Sequence, residues 1–126
     1  KISLSDLFGT FTALFQAIYG PEVKIRFRNK YYPEVEPGVG PDMQCFNCGG
    51  KGCSVCKGVG WIEMGGAGLI HPKVLTMAGL DPREWHGFAF GLGLDRWAMA
   101  SYNITDIRTL LGGNLGYKPY HHENII

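Results

Sequence analysis

The chain has 126 residues, room for one domain with a core of its own and no more. Lys and Arg number 12 against 11 Asp and Glu, so the net charge of +1 gives no sign of a surface that coats nucleic acid, and any RNA contact must be local or made elsewhere in an assembly. Charged residues make up 18%, below the usual share of about a quarter, and 19 glycines are about twice the average, which suggests a surface partly covered by a partner; no apolar run is long enough for a secretory or membrane-spanning segment.

Leu4, Leu7, Phe8, Phe11, Leu14, Phe15 and Ile18 recur at steps of three and four, the stripe of an amphipathic helix with a structural, core-facing role. Ser3, with Asp6 three residues on, forms a capping pair at its start, and Gly20-Pro21 ends it. The chain begins without methionine directly at this helix and reads as a fragment of a longer protein. Val23 to Arg28 then alternates apolar and basic side chains, the pattern of a half-buried strand with Lys24, Arg26 and Arg28 on its other face. Those cations are either solvated or lie against a polyanion or carboxylate partner. Tyr31-Tyr32-Pro33-Glu34-Val35-Glu36-Pro37-Gly38 is expected to be a stiff turn or edge segment. Glu34 and Glu36, two apart, would share one side of an extended strand, either to bind a divalent cation or one ligand or as plain solvated acids.

The most specific local signal is a tandem Cys-x-x-Cys-x-Gly-x-Gly, residues 45 to 52 and 53 to 60, containing Cys45, Cys48, Cys53 and Cys56. Clustering of every cysteine in one short stretch favours a metal over disulfides and points to a reducing compartment. Each Cys-x-x-Cys presents two thiolates from a tight knuckle, and four thiolates favour tetrahedral zinc, although an iron centre uses the same ligands. With no position left open for water, the metal would be a structural staple. The repeats look like half of the zinc-binding region of DnaJ-type chaperones. Lys51 and Lys57 on the knuckle are candidates for RNA contact or plain surface.

Trp61 to Met64 reads as the strand leaving this loop, and Gly65-Gly66-Ala67-Gly68-Leu69-Ile70 continues as a strand nearly without side chains, a wall suited to a bulky flat group. His71-Pro72 ends it, with His71 expected to hydrogen-bond locally, and Lys73 to Ala78 forms a short helix closed by Gly79. Leu80 to Trp85 is a turn or short helix. Gly87 to Gly93 alternates small and aromatic residues and is expected to be a buried strand, followed by a helix with Asp95 in its first turn and Leu94, Trp97, Ala98 and Ser101 on one face. Arg96 is thereby held at a seam between a glycine-lined strand and a helix. A guanidinium there can stack on a purine and bridge phosphate. A dinucleotide fingerprint is absent, since no Gly-x-Gly-x-x-Gly occurs. Thr105 to Leu111 reads as a capped short helix, and the tail from Tyr117, with His121 and His122, as a docking or disordered segment.

Gly91-x-Gly93-x-Asp95-Arg96 resembles the third signature motif of class II aminoacyl-tRNA synthetases. With Arg26-Phe27-Arg28-x-x-Tyr31-Tyr32-Pro33-x-Val35-Glu36-Pro37-Gly38, Gly65 to Val74, Gly87 to Arg96 and Ile104 to Arg108 in order, nearly the whole chain is similar to the alpha subunits of bacterial phenylalanyl-tRNA synthetases, from just after the second motif to the C-terminus. The resemblance implies an α+β fold, an antiparallel sheet flanked by helices, forming part of a class II catalytic core over 1–126 with a zinc-knuckle insertion at 45–60. It implies cytoplasmic activation of phenylalanine with ATP and magnesium and transfer to tRNA(Phe), beside a phenylalanyl-tRNA synthetase beta subunit. Arg96 would be the catalytic clamp on ATP, over Gly91 and Gly93. Tyr32, Glu34, Gly65, Gly66, Ala67, Gly68 and Ala89 would form the amino-acid pocket, with Ala89 at its back setting how large a para substituent fits, and Glu36 would bind magnesium. The family's second pocket phenylalanine is replaced by Glu34, so its edge-on contact with the substrate ring is missing or supplied elsewhere. The first two class II motifs are not in this chain, which alone is expected to be inactive. A class II enzyme for another amino acid, a chaperone-type or RNA-binding zinc module, and a structural interaction domain are the competing readings.

Overall fold

The computed structural model describes residues 2–113. The tail from Tyr117, with His121 and His122, lies outside the described residues. The elements follow in the order α1 (Leu4–Tyr19), β1 (Ile25–Tyr32), β2 (Val35–Gln44), β3 (Trp61–Glu63), β4 (Gly65–Ile70), α2 (Pro72–Met77), β5 (Phe88–Leu92), α3 (Leu94–Tyr102) and α4 (Arg108–Leu111). The strands pair antiparallel in the order β1-β2-β4-β5, with β3 also on β2, so the expected α+β architecture is present. No helix among the described residues is long and apolar enough to cross a membrane.

α1 forms as its sequence dictates. The Ser3 and Asp6 side chains close a capping box, and the Gly20 N–H donates to the Gln16 carbonyl at the other end. Its buried stripe is Leu7, Phe11 and Phe15, while Ile18, at the end of the expected stripe, is half exposed. Phe8 stacks on Phe27 of β1 with ring centroids 4.2 Å apart, and Phe15 meets Trp97 of α3 at 4.7 Å. These rings, with Val39, Met43, Met64, Ala67 and Ala100, make one core between helix and sheet. Each fully buried aromatic is worth roughly 1.5–3 kcal/mol of transfer free energy.

Five expectations are corrected. The first strand is Ile25–Tyr32 rather than Val23 to Arg28, because its backbone bonds run on to the turn at Pro33-Glu34. What reads locally as a stiff segment ending at Gly38 opens a ten-residue strand, β2, in the middle of the sheet. Proline suits a central strand poorly because it cannot donate to the ladder. Here Pro41 falls between the last β2–β4 pair, Val39 with Ala67, and the first β2–β3 pair, Asp42 with Glu63, and Met64 N–H donates to its carbonyl at 2.9 Å. Pro37 lies inside the register irregularity between Val35 and Gly38. β5 is an edge strand, largely exposed rather than buried, with Phe90 49% accessible. In α3 the buried residues are Trp97 and Ala100; Leu94 and Ser101 face outward, since the inward direction is set by where α1 supplies Phe15 and Tyr19. The last helix is also shorter than expected, starting at Arg108 after Asp106 accepts the Arg108 N–H.

Candidate functional site

The β3–β4 and β5–α3 junctions bring the glycine wall and Arg96 to one place. Gly65 pairs with Leu92 and Gly66 with Gly91, so the glycines of β4 lie beside the Gly91 end of β5. Arg96 enters from the first turn of α3, its backbone N–H bonded to the Gly93 carbonyl, and its guanidinium Nη1 donates to the Glu63 carbonyl at 2.6 Å. A cavity of about 420 Å³ is lined by Arg96, Gly91, Gly93, Gly65, Gly66, Tyr32, Glu34, Glu63 and Met64. A second, of about 230 Å³, is lined by Ala89, Ala67, Phe90 and Val35, and shares Tyr32, Glu34, Gly66 and Gly91 with the first. The two cavities are neighbours, with those four residues in the lining of both. A Cβ at Gly66 would lie 2.5 Å from the Tyr32 hydroxyl, so with this Tyr32 placement the bare backbone lets the phenol ring sit over β4.

The structure thus brings together Arg96, Gly91, Gly93, Tyr32, Glu34, Gly65, Gly66, Ala67 and Ala89. Gly68 and Glu36 line neither cavity. Gly68 abuts the Pro37 carbonyl and Val35, so its small size serves strand packing. Glu34 lies in the turn and Glu36 on β2, so the two do not share the side of one extended strand. Among the described residues the cysteines are the one group of three or more acids, histidines or cysteines spaced to hold a metal, and Glu36 contributes a single exposed carboxylate.

The basic row on β1 meets carboxylates of its own chain. Arg28 grips Asp42 with two nitrogens, one of them 2.9 Å from Oδ1, and Arg26 Nε donates to Asp42 Oδ2 at 3.0 Å. The Glu63 carboxylate accepts from Lys30 Nζ at 2.6 Å and lies 3.4 Å from Arg28 Nη2. Asp42 is 1% exposed; burial raises its pKa, yet the two guanidiniums outweigh that and hold it below the ordinary carboxylate value. Asp42 and Glu63 escaped the sequence reading. Their one signal is the basic row on β1, for which acids on a neighbouring strand are one possible set of partners.

The tandem repeat folds with approximate two-fold equivalence. Gly52 N–H donates to Cys48 Sγ at 3.2 Å, and its equivalent Gly60 N–H to Cys56 Sγ at 3.1 Å. A Cβ on Gly60 would strike the Gly50 carbonyl, and one on Gly52 would come within 2.6 Å of the Gly58 carbonyl, so each repeat's last glycine packs on the other repeat. The Cys45 N–H donates to the Gly60 carbonyl at 2.9 Å, closing the loop. All four sulfurs lie within 4.8 Å of one another, and the pairs Cys45–Cys53, Cys48–Cys56 and Cys53–Cys56 are 3.7 Å apart. A tetrahedron with metal–sulfur bonds of about 2.3 Å has edges of about 3.8 Å, so the donor set fits a four-thiolate metal ion. Asn47 and the Cys56 backbone lower the Cys53 thiol to about 6, whereas burial pushes Cys45 up to about 12.

Residues 1–119 match the family described as tRNA synthetases class II core domain (F). The chain is similar to the phenylalanine–tRNA ligase alpha subunit of Bacillus subtilis, with 55% identity over 108 residues, 86% of this chain and 31% of that protein. The alpha subunit of Limosilactobacillus reuteri is 54% identical over 108 residues, again 86% of this chain and 31% of the relative. That of Streptococcus uberis is 52% identical over 117 residues, 93% of this chain and 34% of the relative. The chain spans about a third of the length of these curated relatives.

Proposed function

Because the chain belongs to the class II tRNA synthetase core domain family, we propose that it forms part of the catalytic subunit of a phenylalanine tRNA ligase. That is the protein named for its relatives at 52–55% identity. The observation that carries the reading is that Arg96 lines one cavity with Gly65, Gly66, Gly91 and Gly93, and that this cavity shares Tyr32, Glu34, Gly66 and Gly91 with the one lined by Ala89. The phenylalanine ring would occupy the smaller cavity, beside Tyr32, Glu34, Ala67 and Ala89. The adenylate would lie over Gly65, Gly66, Gly91 and Gly93 under the Arg96 guanidinium. A carboxylate oxygen of phenylalanine attacks the α-phosphorus, the bond to the bridging oxygen breaks, and pyrophosphate leaves. The chain's contribution is positioning and charge complementarity, with Arg96 matching the charge that develops on the phosphates. A terminal ribose hydroxyl of tRNA(Phe) then attacks the acyl carbon of the adenylate, the acyl–phosphate bond breaks, and AMP leaves.

Glu36 alone does not make a magnesium site among the described residues; it would supply one carboxylate to a site completed by phosphate oxygens and the beta subunit. Residues 45–60 form an insertion within a catalytic module covering 1–126, and the four thiolates there would hold zinc as a staple. The protein works in the cytoplasm beside its beta subunit. A free-standing zinc module does not account for a family match that runs through residues 1–119.

The test is phenylalanine-dependent ATP–pyrophosphate exchange by the full-length protein with its beta subunit. Exchange is expected with phenylalanine, and Arg96→Ala should reduce it at least about a hundredfold, the scale of losing one charge-stabilising group. Exchange that follows a different amino acid refutes the substrate, and exchange unaffected by Arg96→Ala refutes the clamp.

A further inference from the structure

Arg96 does not reach the cysteine loop directly. A cavity of about 470 Å³ has Cys56, Lys57, Trp61, Arg96 and Met99 among its lining residues. The connection runs through β3. Gly60 is tied at both ends of its peptide to the knuckle: its N–H to Cys56 Sγ at 3.1 Å and its carbonyl to the Cys45 N–H at 2.9 Å. Three residues on, the Glu63 carbonyl receives Arg96 Nη1 at 2.6 Å. The next carbonyl, that of Met64, receives the Trp97 indole N–H at 2.9 Å. β3 is only three residues long and pairs with β2 alone. The knuckle therefore anchors the start of a short strand whose end orients the guanidinium.

We propose that the four-cysteine metal centre is a positioning element for the nucleotide clamp: metal in the knuckle holds β3 so that the Glu63 carbonyl presents Arg96 to ATP. The inference rests on the ATP reading of the Arg96 cavity. A merely structural staple would stabilise the whole domain and leave ligand affinities unchanged. A positioning element couples specifically to ATP, and that coupling is reciprocal, because the factor by which metal tightens ATP must equal the factor by which ATP tightens metal. Phenylalanine, seated at the Ala89 end and away from β3, should be indifferent.

The experiment uses the wild-type full-length complex with its beta subunit. Zinc affinity is measured by competition with a chromophoric chelator, with and without ATP, and ATP affinity by calorimetry on the zinc-loaded and metal-depleted complexes, circular dichroism confirming that both remain folded. ATP should tighten zinc about tenfold and zinc should tighten ATP by the same factor, while the affinity for phenylalanine stays within about twofold. In Arg96→Ala the linkage should vanish. ATP binding with unchanged zinc affinity overturns the inference and leaves the ligase reading intact, as does equal weakening of ATP and phenylalanine on metal loss. Failure of the zinc-loaded complex to bind ATP removes both.

Discussion

Asp42 is buried to 1% exposure between Arg26 and Arg28, which themselves keep 38% and 44% of their side chains in contact with solvent. The arrangement is asymmetric in its consequences. Losing one arginine leaves a buried carboxylate short of a partner, whereas losing the acid leaves two guanidiniums that water can reach. Arg28→Met should therefore destabilise the protein by about 3 kcal/mol, more than Asp42→Asn, in urea unfolding at neutral pH. Because the fold depresses the Asp42 pKa below its ordinary 3.8, its contribution is complete above that value and is lost as pH falls from there through the lower folded value. An unfolding series across acid pH should show this loss in the wild type and a flatter profile in Asp42→Asn. At this scale the basic residues of β1 were plain in the sequence and their partners were not, since an acid beside Pro41 carries no local mark of burial.

Among the elements, the cysteine knuckle offers an internal control because it is written twice. The residue after each second cysteine takes a left-handed conformation: Gly49 at φ 59° and Lys57 at φ 53°. Glycine adopts that region freely, whereas a side chain there costs about 1–2 kcal/mol. Lys57→Gly should raise the stability of the zinc-loaded protein by up to about 1 kcal/mol, and Gly49→Ala should lower it by about the same, as read by thermal unfolding. The space beside Gly49 is empty, so backbone conformation alone carries its effect. Opposite signs for the two variants confirm the equivalence; equal signs contradict it. The knuckle, α1 and the His71 cap of α2, where Nδ1 accepts the Lys73 N–H at 3.1 Å, were legible because each is encoded within a few turns of chain. β2 was not. Its Val-Glu-Pro-Gly-Val-Gly-Pro stretch has the composition of a loop, and it becomes the central strand because β1 on one side and β3 and β4 on the other supply its hydrogen bonds.

Across the whole molecule, Trp97 is the tie between layers. It is 7% exposed, packs on Phe15 and Tyr19 of α1, accepts the Tyr19 hydroxyl on its own carbonyl at 3.0 Å, and gives its indole N–H to Met64 between β3 and β4. Trp97→Phe leaves the Met64 carbonyl without its donor and opens a void, and should cost about 2–3 kcal/mol in denaturant unfolding of the full-length protein. A cost under about 0.5 kcal/mol would contradict its role as that tie. By itself the sequence determined what short stretches encode: the α1 stripe and its cap, the paired cysteine knuckles, the glycine strand of β4, and the strand–helix seam that carries Arg96. Tertiary structure alone decided that β2 lies at the centre and β5 at the edge, that Arg26 and Arg28 close on Asp42, and that Gly68 serves packing while Gly66 makes room for Tyr32. The reason is physical: periodicity and capping act between neighbours in the chain, whereas strand order and ion pairing depend on groups brought together from distant positions, whose match no local pattern records.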